Sequence, residues 1–295
     1  MRPASAIPII TGLWLAGLAM PAGQVVFRTQ VELVRVDVSV TRDGRPLSGL
    51  GPQDFELRDD GRTQAVREVL VEKVPIDVTL LLDTSTSVEG QRLERLQEAA
   101  NRLLAGLRPG DRAALLTFGH RISRTSALTP DLPRIMRLIG DLDGNGWTAL
   151  HDAIFAALLQ PQAESRRSAV VVFSDGLDTI SWLSPAQVLD AAKRGESILY
   201  TVAEIADPIP GPQSQATSAR AFLRTLAEDS GGRAWTVPDP GQFGEAFEKI
   251  LKDVTTRYVL LYQPEGVSGD GWHPLSVKLT RVRGDVAARA GYYRR

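Results

Sequence analysis

The chain contains no cysteine. That excludes disulfides, thiolate metal centres and a cysteine nucleophile, and it leaves no cysteine for an N-terminal lipid anchor. A surplus of one charge is also missing. The 34 Lys and Arg residues nearly balance 35 Asp and Glu, for a formal net charge of -1. Nothing in that balance points to nucleic acid or anionic lipid as a partner. Only three histidines occur, His120, His151 and His273. They lie far apart, without metal-type spacing or a neighbouring nucleophile motif, and ordinary surface or core positions are expected for them. No glycine-rich phosphate loop is present.

Long apolar runs are scarce too. After Met1-Arg2, residues 7–20 are uncharged and mostly apolar, and Pro21-Ala22-Gly23 follows with small residues. This pattern predicts a secretory signal peptide over residues 1–23. The run falls short of the roughly 20 residues that span a bilayer comfortably, so cleavage is expected rather than a retained anchor. An exported protein, periplasmic or secreted, with no stable membrane anchor after cleavage, is the expectation. What remains of the 295 residues, 43% hydrophobic and 23% charged overall, is enough for one large domain or two smaller ones.

Residues 24–73 read as a β segment. Val34, Val36, Val38 and Val40 alternate with polar residues, Arg42-Asp43-Gly44 reads as a turn, and Phe55 and Leu57 alternate before Asp59-Asp60-Gly61. Over residues 74–257 strands and helices alternate. Ile76–Leu82 and Ala169–Phe173 are apolar enough to be strands buried on both faces. Leu93, Leu96, Ala100, Leu103 and Leu107 have helical spacing, with Pro109-Gly110 as the expected stop, and Ser184-Pro185-Ala186-Gln187 reads as a capping box. Such alternation predicts an α/β fold, a doubly wound and mostly parallel sheet. Residues 258–295 return to β character. Each flank is too small to hide an apolar face alone, so the two are expected to pair as a small β-sandwich interrupted by the α/β unit. The alternative is two independent hairpin units on opposite sides. Arg283-Gly284-Asp285 is expected to be a hairpin turn.

Three oxygen-bearing side chains, Asp83, Ser85 and Ser87, follow the first buried strand at spacings of two. A loop leaving such a strand is where α/β folds place binding crevices. Carboxylate plus hydroxyls suits magnesium, manganese or calcium rather than zinc or copper. Thr148, just before a helix in Gly144-Asn145-Gly146-Trp147-Thr148-Ala149-Leu150, and Asp175, after the second buried strand, are the further candidates. Taken singly, Thr148 reads as a helix N-cap and Asp175 as a turn-former. Asp152 and Asp178 read as capping or solvated residues. The proline-rich loop from Asp207 to Ser214 leaves a strand at the same sheet edge and is a candidate for shaping a partner surface.

Asp83-x-Ser85-x-Ser87, Gly146-Trp147-Thr148-Ala149-Leu150 and Phe173-Ser174-Asp175-Gly176 together resemble the von Willebrand factor type A domain, over roughly residues 74–257. Trp147 stands where many members have a second glycine. Val36-Asp37-Val38, Asp54-Phe55, Asp60-Gly61 and Arg289-Ala290-Gly291-Tyr292 further resemble an exported bacterial, acidobacterial-type family related to that domain. The resemblance implies a metal-ion-dependent adhesion site, with Ser85, Ser87 and Thr148 touching the metal and Asp83 and Asp175 binding directly or through water. A carboxylate of a partner protein would complete the shell, with Gly146, Trp147 and Asp178 as partner contacts. Magnesium is the default cation, with manganese or calcium as alternatives. The expected function is a non-enzymatic protein-binding module in adhesion or envelope assembly. A phosphatase using Asp83 as nucleophile is the first alternative, although Ser85 stands where such enzymes generally carry a second aspartate and no general base is evident. A metal-free scaffold is the second.

Overall fold

The computed structural model describes residues 33–71, 74–163, 165–174, 176–204 and 213–294. The segment expected to be a signal peptide and Asp175 lie outside the described residues.

The chain opens with β1 (Val34–Arg42), β2 (Arg45–Pro46), β3 (Phe55–Asp59), β4 (Arg62–Gln64) and β5 (Val66–Val71). The α/β part then runs β6 (Ile76–Asp83), α1 (Gln91–Ala105), β7 (Arg112–Phe118), β8 (Ile122–Thr129), α2 (Leu132–Gly140), α3 (Leu150–Leu158), β9 (Arg167–Phe173), α4 (Pro185–Arg194), β10 (Ile198–Glu204), α5 (Gln213–Asp229), β11 (Ala234–Val237) and α6 (Phe243–Thr255). It closes with β12 (Tyr258–Tyr262), β13 (Gly271–Leu279), β14 (Asp285–Ala288) and β15 (Gly291–Arg294).

β6 to β11 form one six-stranded sheet in the order β11-β10-β9-β6-β7-β8. All pairings are parallel except that of β8, which runs antiparallel at the polar edge. All eight residues of β6 are buried, as its apolar run requires. Side chains alternate across a strand, so Val78, Leu80 and Leu82 pack with α1, α2 and α6 on one face. Leu81 packs with α3, α4 and α5 on the other. The sheet is therefore doubly wound. Strand order reverses between β6 and β9, which are parallel neighbours with Leu82 opposite Phe173. Ligands of open α/β sheets bind at such a reversal, beyond the carboxyl ends of the strands.

Local signals account for the element ends. Ser184 and Gln187 form the expected capping box at α4. α1 ends at Ala105, ahead of the expected stop at Pro109. Gly106 is its C-cap, and a Cβ there would stand 2.2 Å from Leu251 Cδ2 on α6, so the close approach of that helix requires glycine. α5 begins at Gln213, so the last two residues of the expected loop from Asp207 to Ser214 are helical, and residues 207–212 lie outside the described residues.

The two flanks pair with each other. β1 runs antiparallel to β12 and β14, and β12 to β5, in one sheet; β13 pairs with β3 and β15, and β3 with β4, in another. Val36, Val38, Phe55, Leu57, Tyr258, Leu260, Tyr262 and Leu275 share one apolar cluster. Two independent hairpin units are thereby contradicted, because β1, β3 and β5 of one flank find hydrogen bonds on β12, β13 and β14 of the other. Arg283-Gly284-Asp285 is not a hairpin turn either: the chain there passes from β13 in one sheet to β14 in the other. Leu279 and Val286 both join the shared apolar cluster, which explains why the strands separate instead of pairing side by side.

Candidate metal centre

Three loops meet at the strand-order reversal. The first leaves β6 at Asp83, which is fully buried. Asp83 Oδ1 accepts a hydrogen bond from the Ser85 backbone N–H at 2.9 Å, and Oδ2 accepts one from the Ser174 hydroxyl at 2.9 Å. The carboxylate is thus held at both oxygens, one by its own loop and one by the loop after β9. Ser85 is buried while Ser87 is exposed, and their hydroxyl oxygens lie 3.0 Å apart. Adjacent oxygens around an octahedral magnesium stand about 2.9 Å apart for bonds near 2.1 Å. The two hydroxyls are hydrogen-bonded to each other at a spacing that two neighbouring ligands of a hard cation also have.

The second loop carries Thr148. It is joined to the first by Asn145 N–H to Thr84 O (2.6 Å), Thr86 N–H to Gly146 O (3.1 Å) and Gly146 N–H to Thr86 Oγ1 (3.0 Å). Gly146 has φ of 87°, and a Cβ there would lie 2.5 Å from His120 Nδ1. Both the left-handed backbone and the close approach demand glycine. Thr148 is buried. α3 starts at Leu150 with Ala149 as its N-cap and no side-chain cap, so the Thr148 hydroxyl is not the capping group that the residue taken singly suggests.

The third loop follows β9. Thr148 O accepts from the N–H groups of Thr179 (2.9 Å) and Ile180 (3.3 Å), and the Thr148 N–H donates to Thr179 Oγ1 at 2.9 Å. Ser174 and Gly176 flank Asp175 in this loop. Asp178, an expected partner contact, is half-buried. Its carboxylate accepts from the backbone N–H of His151 (3.0 Å) and from the Ser181 N–H (3.1 Å) and hydroxyl (2.5 Å), tying the loop to the first turn of α3. Asp152 does the same from the helix side, accepting from the N–H groups of Trp182 and Leu183. Asp178 thus accepts an exposed N–H of the first turn of α3, as a capping residue does, whereas Asp152, within α3, braces the loop before α4.

The second and third loops also expose large apolar side chains among polar ones. Trp147 is 67% exposed, Trp182 95% and Ile180 41%. Trp147 is among the expected partner contacts; Trp182 and Ile180 are additions. Their signal lies in Thr179-Ile180-Ser181-Trp182, where large apolar residues interrupt a polar loop.

His273 departs from the expectation of an isolated histidine: it is buried on β13 with Asp59 and Asp60 close by, away from the Asp83 centre on a different sheet. Sequence spacing cannot show this, because strand pairing unites the two ends of the chain. Among the described residues no helix is long and apolar enough to cross a membrane.

Comparisons with known proteins agree with this geometry. Residues 78–177 match the family described as von Willebrand factor type A domain. Inter-alpha-trypsin inhibitor heavy chain H1 of Sus scrofa is 24% identical over 210 residues, 63% of this chain and 22% of that protein. Heavy chain H4 of Homo sapiens is 21% identical over 211 residues, 66% of this chain and 22% of its own length. The chain thus spans less than a quarter of those relatives. Among solved structures, a von Willebrand factor type A protein from Catenulispora acidiphila superposes with a TM-score of 0.54 at 13% identity, over 84% of this chain and 74% of that one. Proximal thread matrix protein 1 of the mussel byssus, with a zinc-occupied MIDAS motif, superposes with a TM-score of 0.54 at 14% identity, over 66% of this chain and 49% of its own. The chain carries a von Willebrand factor type A domain.

Proposed function

We propose that the chain is an exported protein-binding module, not an enzyme, in which Asp83, Ser85, Ser87, Thr148 and Asp175 hold a divalent cation that attracts a carboxylate of a partner protein. The observation that carries this reading is the Ser85–Ser87 hydroxyl pair, 3.0 Å apart beside a buried carboxylate locked at both oxygens. The donors are all oxygen, which favours magnesium, with manganese or calcium next. The zinc-occupied motif of the byssus protein supports a divalent cation in this fold. When bound, the cation supplies a positive centre only partly neutralised by two carboxylates, open to an acidic side chain.

The residues of the chain do the rest. Asp83 fixes the Ser85 loop through its backbone N–H, and Thr86 and Gly146 lock the Thr148 loop against it. Trp147, Ile180 and Trp182 form an apolar rim, with Trp182 held out from a loop whose N–H groups are bound to Asp152. Exposed tryptophans on braced loops are typical binding anchors. The partner surface is accordingly an acidic side chain flanked by apolar ones, in adhesion or envelope assembly.

A phosphatase reading is disfavoured by Asp83 itself. A fully buried carboxylate whose two oxygens each accept a hydrogen bond is a poor nucleophile. We further infer that the two flanking sheets, built from β1–β5 and β12–β15, close as a small β-sandwich around the shared cluster of Val36, Leu57, Tyr258 and Leu260.

The test is capture of partners from envelope extract on immobilised protein, with magnesium, with chelator and with Thr148→Ala. A bound set lost on chelation and in the variant is expected. An unchanged set would overturn the cation-bridged mechanism, and Asp83-dependent turnover of phosphate esters would overturn the non-enzymatic reading.

A further inference from the structure

Asp59 ends β3, Asp60 begins the following turn, and His273 lies on β13, which pairs with β3 so that Leu275 stands opposite Asp59. One ligand atom from each of the three lies within 4.8 Å of the others. Asp59 and His273 are buried, at 0% and 3% exposure, while the Asp60 side chain is 40% exposed.

The hydrogen bonding of this cluster is incomplete. Asp59 Oδ2 accepts from the hydroxyls of Tyr262 (2.8 Å) and Tyr292 (3.0 Å), but Asp59 Oδ1 is buried with no hydrogen-bond partner. His273 Nε2 lies 3.0 Å from Gly269 O. A carbonyl oxygen only accepts, so Nε2 carries a proton there, and Nδ1 is the ring atom turned toward the carboxylates. Nδ1 lies 2.8 Å from Asp60 Oδ2 and 3.8 Å from Asp59 Oδ1. Although close, Asp60 Oδ2 sits off the line of a ring N–H bond, and Nδ1 too is buried without a hydrogen bond.

Three ligand atoms therefore converge, two of them, Asp59 Oδ1 and His273 Nδ1, buried without a hydrogen bond. Such an arrangement is costly unless a cation sits among them. A backbone carbonyl on the far nitrogen of a histidine is also how metal-binding imidazoles are oriented, and tyrosine hydroxyls on the second oxygen of Asp59 orient that ligand in the same way.

We propose that Asp59 Oδ1, Asp60 Oδ2 and His273 Nδ1 form a second metal site that takes a first-row divalent ion such as zinc, with water completing the shell on the exposed side of Asp60. One imidazole nitrogen and two carboxylates suit zinc, manganese or cobalt, unlike the all-oxygen set at Asp83. Its effect is structural: it ties the β3–β4 turn near the start of the chain to β13 near its end. This site does not depend on the function proposed for the Asp83 centre.

The experiment is titration of the full chain, stripped by chelator, with zinc chloride, followed by calorimetry and by competition with a chromophoric chelator. An equivalent of zinc that survives Asp83→Ala and is weakened about tenfold or more by Asp60→Asn is expected. Asp60→Asn is the primary variant because asparagine keeps the left-handed turn conformation (φ of 49°) and the site is exposed there, so folding is retained. His273→Gln is expected to abolish the same equivalent. Should that buried variant fail to fold, cobalt in the unmodified chain gives the same answer, through visible bands that vanish in Asp60→Asn and paramagnetic shifts on the His273 ring. Zinc binding untouched by Asp60→Asn, zinc lost entirely with Asp83→Ala, or a His273 ring that stays an imidazolium when zinc is added would each overturn the site; the last would make a proton the cation between the carboxylates.

Discussion

Arg257 Nη1 donates to Asp253 Oδ2 at 2.8 Å, and neither side chain reaches solvent, at 0% and 3% exposure. The pair ties α6 to the flanking strands β1 and β14. Arg257 Nη2 also donates to the carbonyls of Gly231 (2.7 Å) and Ala287 (3.2 Å). Asp253 accepts from Tyr200 Oη (2.6 Å), Arg233 Nε (3.0 Å) and the Ser39 hydroxyl on β1. Removing Arg257 leaves the buried Asp253 carboxylate with Arg233 as its remaining ion-pair partner and strips donors from the carbonyls of Gly231 and Ala287. Arg257→Met is expected to destabilise the protein by roughly 3–5 kcal/mol, read from urea unfolding, and the Arg257→Met/Asp253→Leu double variant to recover part of that loss.

The same network sets the acid response. Burial pushes the Asp253 carboxyl up, but the charge of Arg257, hydrogen bonds from Ser39 and Tyr200, and Arg233 outweigh it, so the group lies below the usual carboxylate range. Asp37 behaves alike: burial raises it, and Arg167 and Arg257 more than offset the effect. A carboxyl with a depressed folded-state pKa contributes stability that is fully present above its unfolded pKa and is lost as pH falls through the folded one. Unfolding free energy should therefore hold from neutrality to about pH 4 and then decline. Urea midpoints measured from pH 7 to pH 2.5 check this, and Asp253→Leu/Arg257→Met should show a shallower decline.

Thr148 and cation binding can be separated from folding. At a magnesium concentration about 100 times its dissociation constant, the proposed site should add about 2.7 kcal/mol of stability. Thermal melts with and without magnesium should show that increment in the unmodified chain and in Thr148→Ser, which keeps the hydroxyl. Thr148→Ala should lose most of it, and Asp83→Ala all of it.

Gly146→Ala is expected to cost about 1–3 kcal/mol and to shrink the magnesium increment. Two effects are combined there, a left-handed backbone and a contact of 2.5 Å with His120 Nδ1. Adding His120→Ala removes only the contact. Partial recovery of the melting temperature in the double variant would apportion the two.

Trp182→Ala should leave stability within about 0.5 kcal/mol, because the side chain is 95% exposed. Partner capture should fall nonetheless, as for an interface anchor. Capture equal to that of the unmodified chain would remove Trp182 from the proposed surface.

Much of the fold and of the Asp83 centre is legible in the sequence. Ile76–Leu82 and Ala169–Phe173 are continuously apolar, and only a strand covered on both faces suits them. Asp83, Ser85, Ser87 and Thr148 stand out because each follows or precedes an element whose end the sequence marks. Sequence order does not say that β13 and β14 belong to different sheets, since both alternate with the same period, nor that Asp178 is spent on the first turn of α3. His273 looks isolated in the sequence for a related reason: its partners Asp59 and Asp60 come from the opposite flank.

The sequence by itself determined the element types, the doubly wound sheet and the oxygen-rich chemistry at the carboxyl ends of two of its strands, because periodicity, caps and turn residues act over a few positions. The tertiary structure alone decided which distant groups meet. Parallel pairing of β6 with β9 brings Ser174 to Asp83, antiparallel pairing of β3 with β13 brings His273 to Asp59, and the buried Arg257–Asp253 pair joins the two parts. Those meetings depend on strand register and burial, which no local pattern encodes.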